Sequence, residues 1–228
     1  MTSAAAAEWR VRVGDDEVTA RYEPPSGGEQ RAVFVCGHGA GGNMSDRGMR
    51  GAAAALRSAG IGVVRFNFLY SEKRLGRPDP MPRLRECTAA VVQRARSELA
   101  PQSLIIGGRS MGGRAASMMA ADGFACDGLI LLAYPLHPAG RPEMLRDAHL
   151  PAITVPVLCV NGTRDTLCRR DLMEGVLPRV KAPWMMHWIE GADHGFHVLK
   201  SSGRTDEQVL QDVGAVARDW LDRLSLRE

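Results

Sequence analysis

Short, continuous apolar runs that alternate with segments of helical periodicity constrain the fold of this chain more than any other sequence feature. The runs are rich in branched side chains, which is typical of strands buried on both faces of a parallel sheet. Because strand and helix alternate from about residue 32 onward, right-handed crossovers predict a mostly parallel sheet with helices on both faces. The runs are AVFVC, GVVRF, LIIG, LILLA and VLCV.

Two half-exposed strands are predicted ahead of this region. WRVRV and EVTARY alternate apolar and polar residues on either side of GDD, a pattern typical of an antiparallel hairpin. Near the other end, residues 205–224 carry an apolar stripe of helical spacing, with Thr205 and Asp206 as candidate N-terminal caps. The predicted fold class is therefore α/β, a mostly parallel central sheet with an N-terminal antiparallel hairpin.

Length and composition predict one domain over residues 1–228. A chain of 228 residues can bury one sizeable core, and no shift in composition marks a second. The N-terminal alanine run lacks a basic region ahead of it and is followed at once by Glu8 and Arg10, unlike a signal peptide. No stretch reaches the roughly 18 uninterrupted apolar residues of a membrane-spanning helix. A cytoplasmic protein without membrane association is expected.

Cysteine spacing and charge exclude several other classes. The five cysteines are odd in number and form no C-x-x-C pair, so neither a disulfide framework nor a zinc site is predicted. The net charge of +3 is small, and acidic residues interleave with the basic ones, which interrupts the single-sign stripe of a nucleic-acid-binding face. The densest basic piece, SEKRLGRPDPMPRLR, fits either an anionic substrate or a solvated loop.

A candidate nucleophile follows the buried run LIIG. Ser110 lies in GRSMG, directly after a predicted strand and directly before a helix of small residues. This strand-turn-helix context is that of a nucleophile elbow, in which the serine adopts a strained backbone conformation. Gly108 and Gly112, two residues before and after Ser110, would relieve clashes with the neighbouring strand and helix.

A serine hydroxyl needs a base to take its proton and a third group to orient that base. Asp165 follows the strand VLCVNG, and His194 lies in the loop after the strand-like WMMHW. The order serine, acid, histidine and the position of each residue after a strand agree with a catalytic triad on a parallel sheet. We therefore predict Ser110 as nucleophile, Asp165 as acid and His194 as base.

Four other residues compete for these roles. Asp193 is adjacent to His194 in sequence, and neighbouring residues rarely aim at each other usefully. Asp171 lies inside a predicted helix, where a solvated side chain is expected. His187 falls within an apolar strand and is more typical of a core histidine. His197, three residues after His194, is the main alternative base.

An acyl-transfer site also needs hydrogen-bond donors for the oxyanion. The backbone N–H of Met111, at the start of the elbow helix, is one candidate. The glycine-rich GHGAGG after the first parallel strand supplies the other, with Ala40 preferred and Gly41 second. A dinucleotide-binding loop is the alternative for this stretch, but it lacks the G-x-G-x-x-G spacing.

Together, HGAGG, GRSMGG, NGTRD and GADHGF resemble the motifs of the α/β-hydrolase superfamily. RFNF, GGRSMGGRAAS and YPLHPAGRPEMLRDAHLP resemble a compact branch that includes a testis-expressed protein and the hydrolase-like domain of a histone-acetyltransferase complex subunit. Bacterial members are often labelled dienelactone-hydrolase-like. Dienelactone hydrolases proper use cysteine at the elbow, whereas Ser110 stands here. The resemblance implies the same triad and the same oxyanion donors, Ala40 and Met111.

The short connection between LILLA and VLCV predicts a minimal cap over the site, because only a loop and one short helix fit there. Tyr134 and His137, in this connection, are candidates to line a shallow site. Arg109 within the elbow, Arg65 and Arg74 are candidates to meet a substrate carboxylate, with structural or solvated roles as the alternative.

The residues thus predict a serine hydrolase, carboxylesterase-like, that cleaves a small acyl substrate without metal or organic cofactor. Two alternatives remain open: a non-catalytic hydrolase-like scaffold, and a thioesterase, acyltransferase or peptidase that uses the same triad. A monomer or homodimer is expected, with no nucleic-acid partner.

Overall fold

The computed structural model describes residues 5–225, and its centre is an eight-stranded sheet in the order β1-β2-β4-β3-β5-β6-β7-β8. β1 pairs antiparallel with β2, and β2 pairs antiparallel with β4; every other neighbouring pair is parallel. This is the predicted mixed sheet with its N-terminal hairpin. The strands are Ala7–Val13 (β1), Asp16–Glu23 (β2), Ala32–Gly37 (β3), Ile61–Phe66 (β4), Leu104–Arg109 (β5), Gly128–Leu132 (β6), Val157–Gly162 (β7) and Trp184–Ile189 (β8).

Helices cover both faces of the sheet. The buried side chains of α1 and α6 belong to the apolar cluster on one face, and those of α3, α4 and α5 belong to the cluster on the other. The short helix α2, which the sequence did not predict, follows β4. The helices are Arg47–Ser58 (α1), Leu69–Glu72 (α2), Met81–Leu99 (α3), Met111–Ala121 (α4), Arg170–Val176 (α5) and Asp206–Ser225 (α6), with 3-10 turns at Leu150–Ala152, Leu177–Arg179 and Lys200–Ser202.

The central strand β3 explains why its apolar run is continuous. All six of its residues are buried, and successive side chains enter opposite clusters: Val33 and Val35 join one, and Phe34 joins the other. Side chains alternate along a strand, so a strand covered on both faces needs apolar residues at every position. Full burial of a valine or phenylalanine side chain contributes about 1.5–3 kcal/mol to stability.

A capping box begins α6, as the sequence suggested. Thr205 Oγ1 accepts a hydrogen bond from the backbone N–H of Gln208 at 3.2 Å, and Gln208 Oε1 accepts one from the N–H of Thr205 at 2.8 Å. The other candidate cap, Asp206, is the first residue of the helix instead.

The carboxyl ends of the parallel strands are left open. Residues 133–156, between β6 and β7, contain one 3-10 turn, at Leu150–Ala152, and otherwise follow a loop path. The predicted minimal cap is therefore smaller than a helical lid. Among residues 5–225, no helix has both the length and the apolar composition that crossing a lipid bilayer requires.

Candidate active site

Ser110 lies on the sharp turn between β5 and α4. Its backbone has φ 50° and ψ −111°, a conformation that costs a non-glycine residue about 1–3 kcal/mol. Its N–H donates to the carbonyl of Leu132 at 2.9 Å, which ties the turn to the neighbouring strand β6. The side chain is thereby held at the carboxyl edge of the sheet.

Backbone packed directly on backbone surrounds this turn. A Cβ on Gly108 would lie 2.2 Å from the carbonyl oxygen of Gly37, and a Cβ on Gly112 would lie 2.3 Å from the same atom. Gly108 also has φ 140°, which disfavours any side chain. Both predicted glycine positions are therefore required by the close approach of β3 to the elbow.

A hydrogen-bonded relay joins three side chains from three different loops. Ser110 Oγ lies 3.0 Å from His194 Nε2, and His194 Nδ1 lies 2.8 Å and 3.0 Å from the two carboxylate oxygens of Asp165. Because a carboxylate only accepts hydrogen bonds, Nδ1 carries the hydrogen and Nε2 is left to accept the Ser110 proton. The structure thus brings together the three residues predicted as nucleophile, base and acid.

The carboxylate of Asp165 is buried and fully hydrogen-bonded. Its side chain has 0% exposure; Oδ1 accepts from the N–H of Leu167 at 2.8 Å, and Oδ2 accepts from Asn161 Nδ2 at 3.1 Å. Asn161, at the end of β7, also bonds both backbone groups of Tyr134, at 3.0 Å and 3.1 Å. Asn161 was not predicted as a site residue, although its place in VLCVNG, four residues before Asp165, is a usable signal.

The competing histidine and aspartates have other partners. His197 is exposed and bonds Asp206 through Nδ1 at 2.6 Å. Asp193 Oδ1 accepts from the N–H groups of Gly195 and His197, at 2.7 Å and 3.0 Å, which shapes the turn that presents His194.

Asp171 and His187 lie apart from the relay. Asp171 is exposed on the first turn of α5 and pairs with Arg169 at 2.6 Å. His187 lies within β8 and is half-buried, and burial lowers its pKa. Neither side chain contacts Ser110 or His194.

The glycine-rich loop after β3 lies against Ser110. A Cβ on Gly39 would be 3.6 Å from Ser110 Cβ, so this backbone borders the hydroxyl directly. The N–H of Ala40 donates no hydrogen bond to any of residues 5–225. Met111 begins α4, where an N–H has no acceptor within its helix. Gly41 N–H donates to the hydroxyl of Tyr70 at 3.1 Å, so Gly41 lines the cavity while its donor is occupied.

Tyr70 and His38 hold the shape of this loop. Tyr70 accepts from Gly41 N–H and donates to the carbonyl of Gly39 at 3.2 Å. His38 is buried, and burial lowers its pKa, so it is neutral near pH 7. Its Nδ1 donates to Gly39 O at 2.8 Å, while Nε2 accepts from the N–H of Phe68 at 3.1 Å. Neither residue was predicted from the sequence to position this loop.

The prediction that Tyr134 and His137 line the site is wrong for both side chains. Tyr134 is fully buried and its hydroxyl donates to the carbonyl of Arg146 at 2.8 Å. His137 is 2% exposed, and its Nε2 accepts from the N–H of Arg169 at 3.1 Å. Ala133, which has φ 51°, precedes Tyr134, and the chain turns there into the core instead of along the rim.

The three candidate arginines have different environments. Arg65 is buried and pairs with Glu23 at 2.6 Å, which is a structural role. Arg74 is exposed and is absent from the cavity wall. Arg109 alone of the three lines the cavity beside Ser110, and its Nη2 donates to the carbonyl of His194 at 3.1 Å.

An open cavity of about 430 Å³ gives access to Ser110. Its wall combines the glycine-rich loop and the relay with two apolar side chains and with the charged side chains of Asp46 and Arg109. Residues 5–225 contain no cluster of three or more His, Cys, Asp or Glu side chains able to hold a metal ion. The wall is formed by Gly39, Ala40, Gly41, Gly42, Asp46, Met49, Arg109, Ser110, Leu167 and His194.

Comparison with known proteins agrees with this architecture. A family model described as an alpha/beta hydrolase domain matches residues 30–222. An alpha-beta serine hydrolase homologue from Coxiella burnetii superposes with a TM-score of 0.75 at 20% identity, covering 96% of this chain and 98% of that one. A serine hydrolase without lid from Xanthomonas campestris gives 0.74 at 21% identity, with 98% and 97% covered. Dienelactone hydrolase from Anabaena variabilis gives 0.71 at 20% identity, with 96% and 97% covered.

Proposed function

Since the chain belongs to the α/β-hydrolase family, we propose that it is a serine hydrolase that cleaves a small ester or related acyl substrate through a covalent acyl-enzyme. The observation that carries this proposal is the unbroken relay from Ser110 Oγ through His194 to the buried carboxylate of Asp165. A serine hydroxyl without such a base is a poor nucleophile at neutral pH.

In the acylation step, His194 Nε2 takes the Ser110 proton while Oγ forms a bond to the substrate carbonyl carbon. The imidazolium that results is stabilised by Asp165, which remains a carboxylate. The tetrahedral intermediate collapses, the bond to the leaving oxygen breaks, and His194 returns the proton to the departing alcohol. The acyl group is then attached to Ser110.

In the deacylation step, His194 takes a proton from water, and the hydroxide oxygen bonds to the acyl carbon. When the bond to Ser110 Oγ breaks, His194 returns the proton to the serine, and the acid is released. The sum is ester plus water giving acid plus alcohol, without a metal or organic cofactor.

In each tetrahedral intermediate, the free N–H groups of Ala40 and Met111 donate to the oxyanion. Preorganised donors of this kind contribute about 2.7–4 kcal/mol each to transition-state stabilisation. Gly41 is unsuited as a donor because its N–H is bonded to Tyr70. The hydrogen bonds of His38 and Tyr70 to Gly39 O, together with the bond from Gly41 N–H to Tyr70, hold the loop so that the Ala40 amide keeps its position.

The open cavity supports a short acyl group in preference to a long chain. Residues 133–156 contain no α-helix that could form a lid over the cavity. Met49 and Leu167 form the apolar part of the wall near Ser110. The similar Xanthomonas campestris protein is described as lacking a lid, and the similar Anabaena variabilis protein as a dienelactone hydrolase. Both descriptions support a small ester, and we place thioesters and peptides second.

Covalent labelling with a fluorophosphonate probe tests the proposal. We expect wild-type protein to be labelled at Ser110 and the Ser110→Ala variant not to be labelled. Ser117→Ala is a matched control, because Ser117 is a buried serine of the same helix with Oγ 2.8 Å from His149 Nε2. That variant should label like the wild type, and a correctly folded wild-type protein that never labels would rule out the acyl-enzyme.

A further inference from the structure

Arg109 occupies an unusual position beside the nucleophile. Its partly buried guanidinium borders the cavity that contains Ser110 and also a neighbouring cavity of about 370 Å³. The neighbouring cavity has an apolar part formed by Phe196 and Leu210. Of the residues that form the two cavity walls, Arg109 is common to both.

The guanidinium forms no direct ion pair with any carboxylate of the described residues. Across residues 5–225 it forms no ion pair, and one N–H, on Nη2, donates to the neutral carbonyl of His194 at 3.1 Å. Arg65 provides the contrast, because its buried guanidinium pairs with Glu23 at 2.6 Å. Burial lowers the pKa of Arg109, and the negative charges of the nearby aspartates offset only part of that effect.

Three carboxylates lie in the surroundings of Arg109, and each is bonded to other groups. Asp46 accepts from the N–H and the side-chain amide of Asn43, each at 2.8 Å. Asp193 accepts from two backbone N–H groups in the histidine turn, at 2.7 Å and 3.0 Å. Asp165 is bonded to His194 at 2.8 Å. Their negative charges act on Arg109 from a distance, and none of the three forms a direct ion pair with the guanidinium.

The guanidinium is also held in place. A Cβ on Gly48 would lie 2.1 Å from Arg109 Nη1, so the side chain packs closely against the first turn of α1. This contact and the hydrogen bond to His194 O together restrict the position of the guanidinium. A preorganised arginine loses less side-chain freedom when it binds a carboxylate.

We propose that Arg109 binds a carboxylate on the substrate, so that the preferred substrates are esters with a carboxylate a few bonds from the scissile carbonyl. This inference rests on the proposed serine hydrolase function. Arg109 is then a specificity-determining residue, because its contact with the anion distinguishes acidic esters from neutral esters of equal size.

Matched ester pairs test the inference. Mono-p-nitrophenyl adipate places the carboxylate on the acyl side, and its methyl ester is the neutral counterpart; 4-acetoxybenzoate and methyl 4-acetoxybenzoate do the same on the alcohol side. A hydrogen-bonded ion pair predicts a preference of about 10- to 100-fold in kcat/KM for the acidic member of at least one pair. The side that shows it identifies where the substrate carries its carboxylate.

Arg109→Gln should reduce that preference to about one, whatever its effect on the neutral ester. Arg50→Gln removes the same charge from an exposed position of α1 and should leave the preference unchanged. If Arg109→Gln slows both members of each pair equally, Arg109 only braces the His194 loop and the inference is wrong.

A wild-type enzyme that labels with fluorophosphonate and hydrolyses neutral esters without preferring either acidic ester would also overturn the inference, while leaving the proposed function intact. Absence of labelling would instead remove the function on which the inference rests.

Discussion

Two histidines that lie three residues apart in the same loop each form a pair with an aspartate. The two pairs have similar contact distances but differ in the exposure of their side chains and in their surroundings. His194 meets Asp165 at 2.8 Å, and His197 meets Asp206 at 2.6 Å, both through Nδ1. Side-chain exposure is 28% and 0% for the first pair but 64% and 39% for the second. The shorter contact therefore belongs to the more exposed pair.

The difference lies in what surrounds each pair. His194 Nε2 faces Ser110 Oγ, and Asp165 is held by Asn161 and the N–H of Leu167. His197 has no serine on its other nitrogen, and an exposed pair gains little because water screens it. A histidine–aspartate contact alone is thus a poor indicator of a catalytic relay. A buried carboxylate and a serine hydroxyl within hydrogen-bond distance distinguish the His194 pair from the His197 pair.

Replacing each histidine in turn gives the largest contrast. We expect His194→Gln to lower kcat/KM for a p-nitrophenyl ester by about 10⁴-fold or more, because the Ser110 proton loses its acceptor. His197→Gln should stay within about twofold of wild type, since its side chain meets solvent and Asp206. Steady-state kinetics on both folded variants checks this, and equal losses would show that the two pairs are not functionally distinct.

Replacing the aspartate of each pair should give the same contrast as replacing the histidine, with a smaller loss of activity. Asp165→Asn keeps the shape of the side chain but removes the charge that stabilises the imidazolium, so we expect a loss of about 10³- to 10⁴-fold in kcat. Asp206→Asn should leave kcat unchanged. Single-turnover acylation measured on both variants tests this prediction. A similar loss of rate in Asp206→Asn would show that Asp206 also supports His194.

The smallest effect concerns protonation of the exposed pair. The hydrogen bond from His197 holds the pKa of Asp206 below its ordinary value of 3.8. A carboxyl with a lowered folded-state pKa stabilises the protein above its unfolded pKa, and that contribution is lost as pH falls through the folded value. In His197→Gln we expect the Asp206 pKa to rise toward 3.8 in an NMR titration; an unchanged pKa would mean that the N–H of Val198 dominates instead.

The strands and helices were predictable because their signals are local. A strand buried on both faces needs apolar residues at successive positions. This pattern is visible in a few adjacent residues of the sequence, as in β3. The positions of Ser110, Asp165 and His194 follow the same logic, since each lies in the loop or turn that follows a predicted strand. Parallel strands bring their carboxyl ends to one edge, so these residues meet there.

Contacts made by side chains across the fold were not predictable in this way. Tyr70 reaches Gly39 and Gly41 from α2, about 30 residues later in the chain, and nothing local to either segment indicates the pairing. Tyr134 was misplaced for a related reason: the left-handed conformation of Ala133 turns the chain inward, and alanine gives no sequence signal for that conformation.

The contact of Gly37 with Gly108 and Gly112 has a consequence for directed evolution of this protein. Because main chain contacts main chain there, no neighbouring side chain can be made smaller to accommodate a larger residue. We therefore expect that active variants selected from a mutant library keep glycine at these positions. Met49 and Leu167 border the cavity without taking part in that contact. Substitutions at those two positions can therefore change the shape of the cavity while the backbone around Ser110 keeps its conformation.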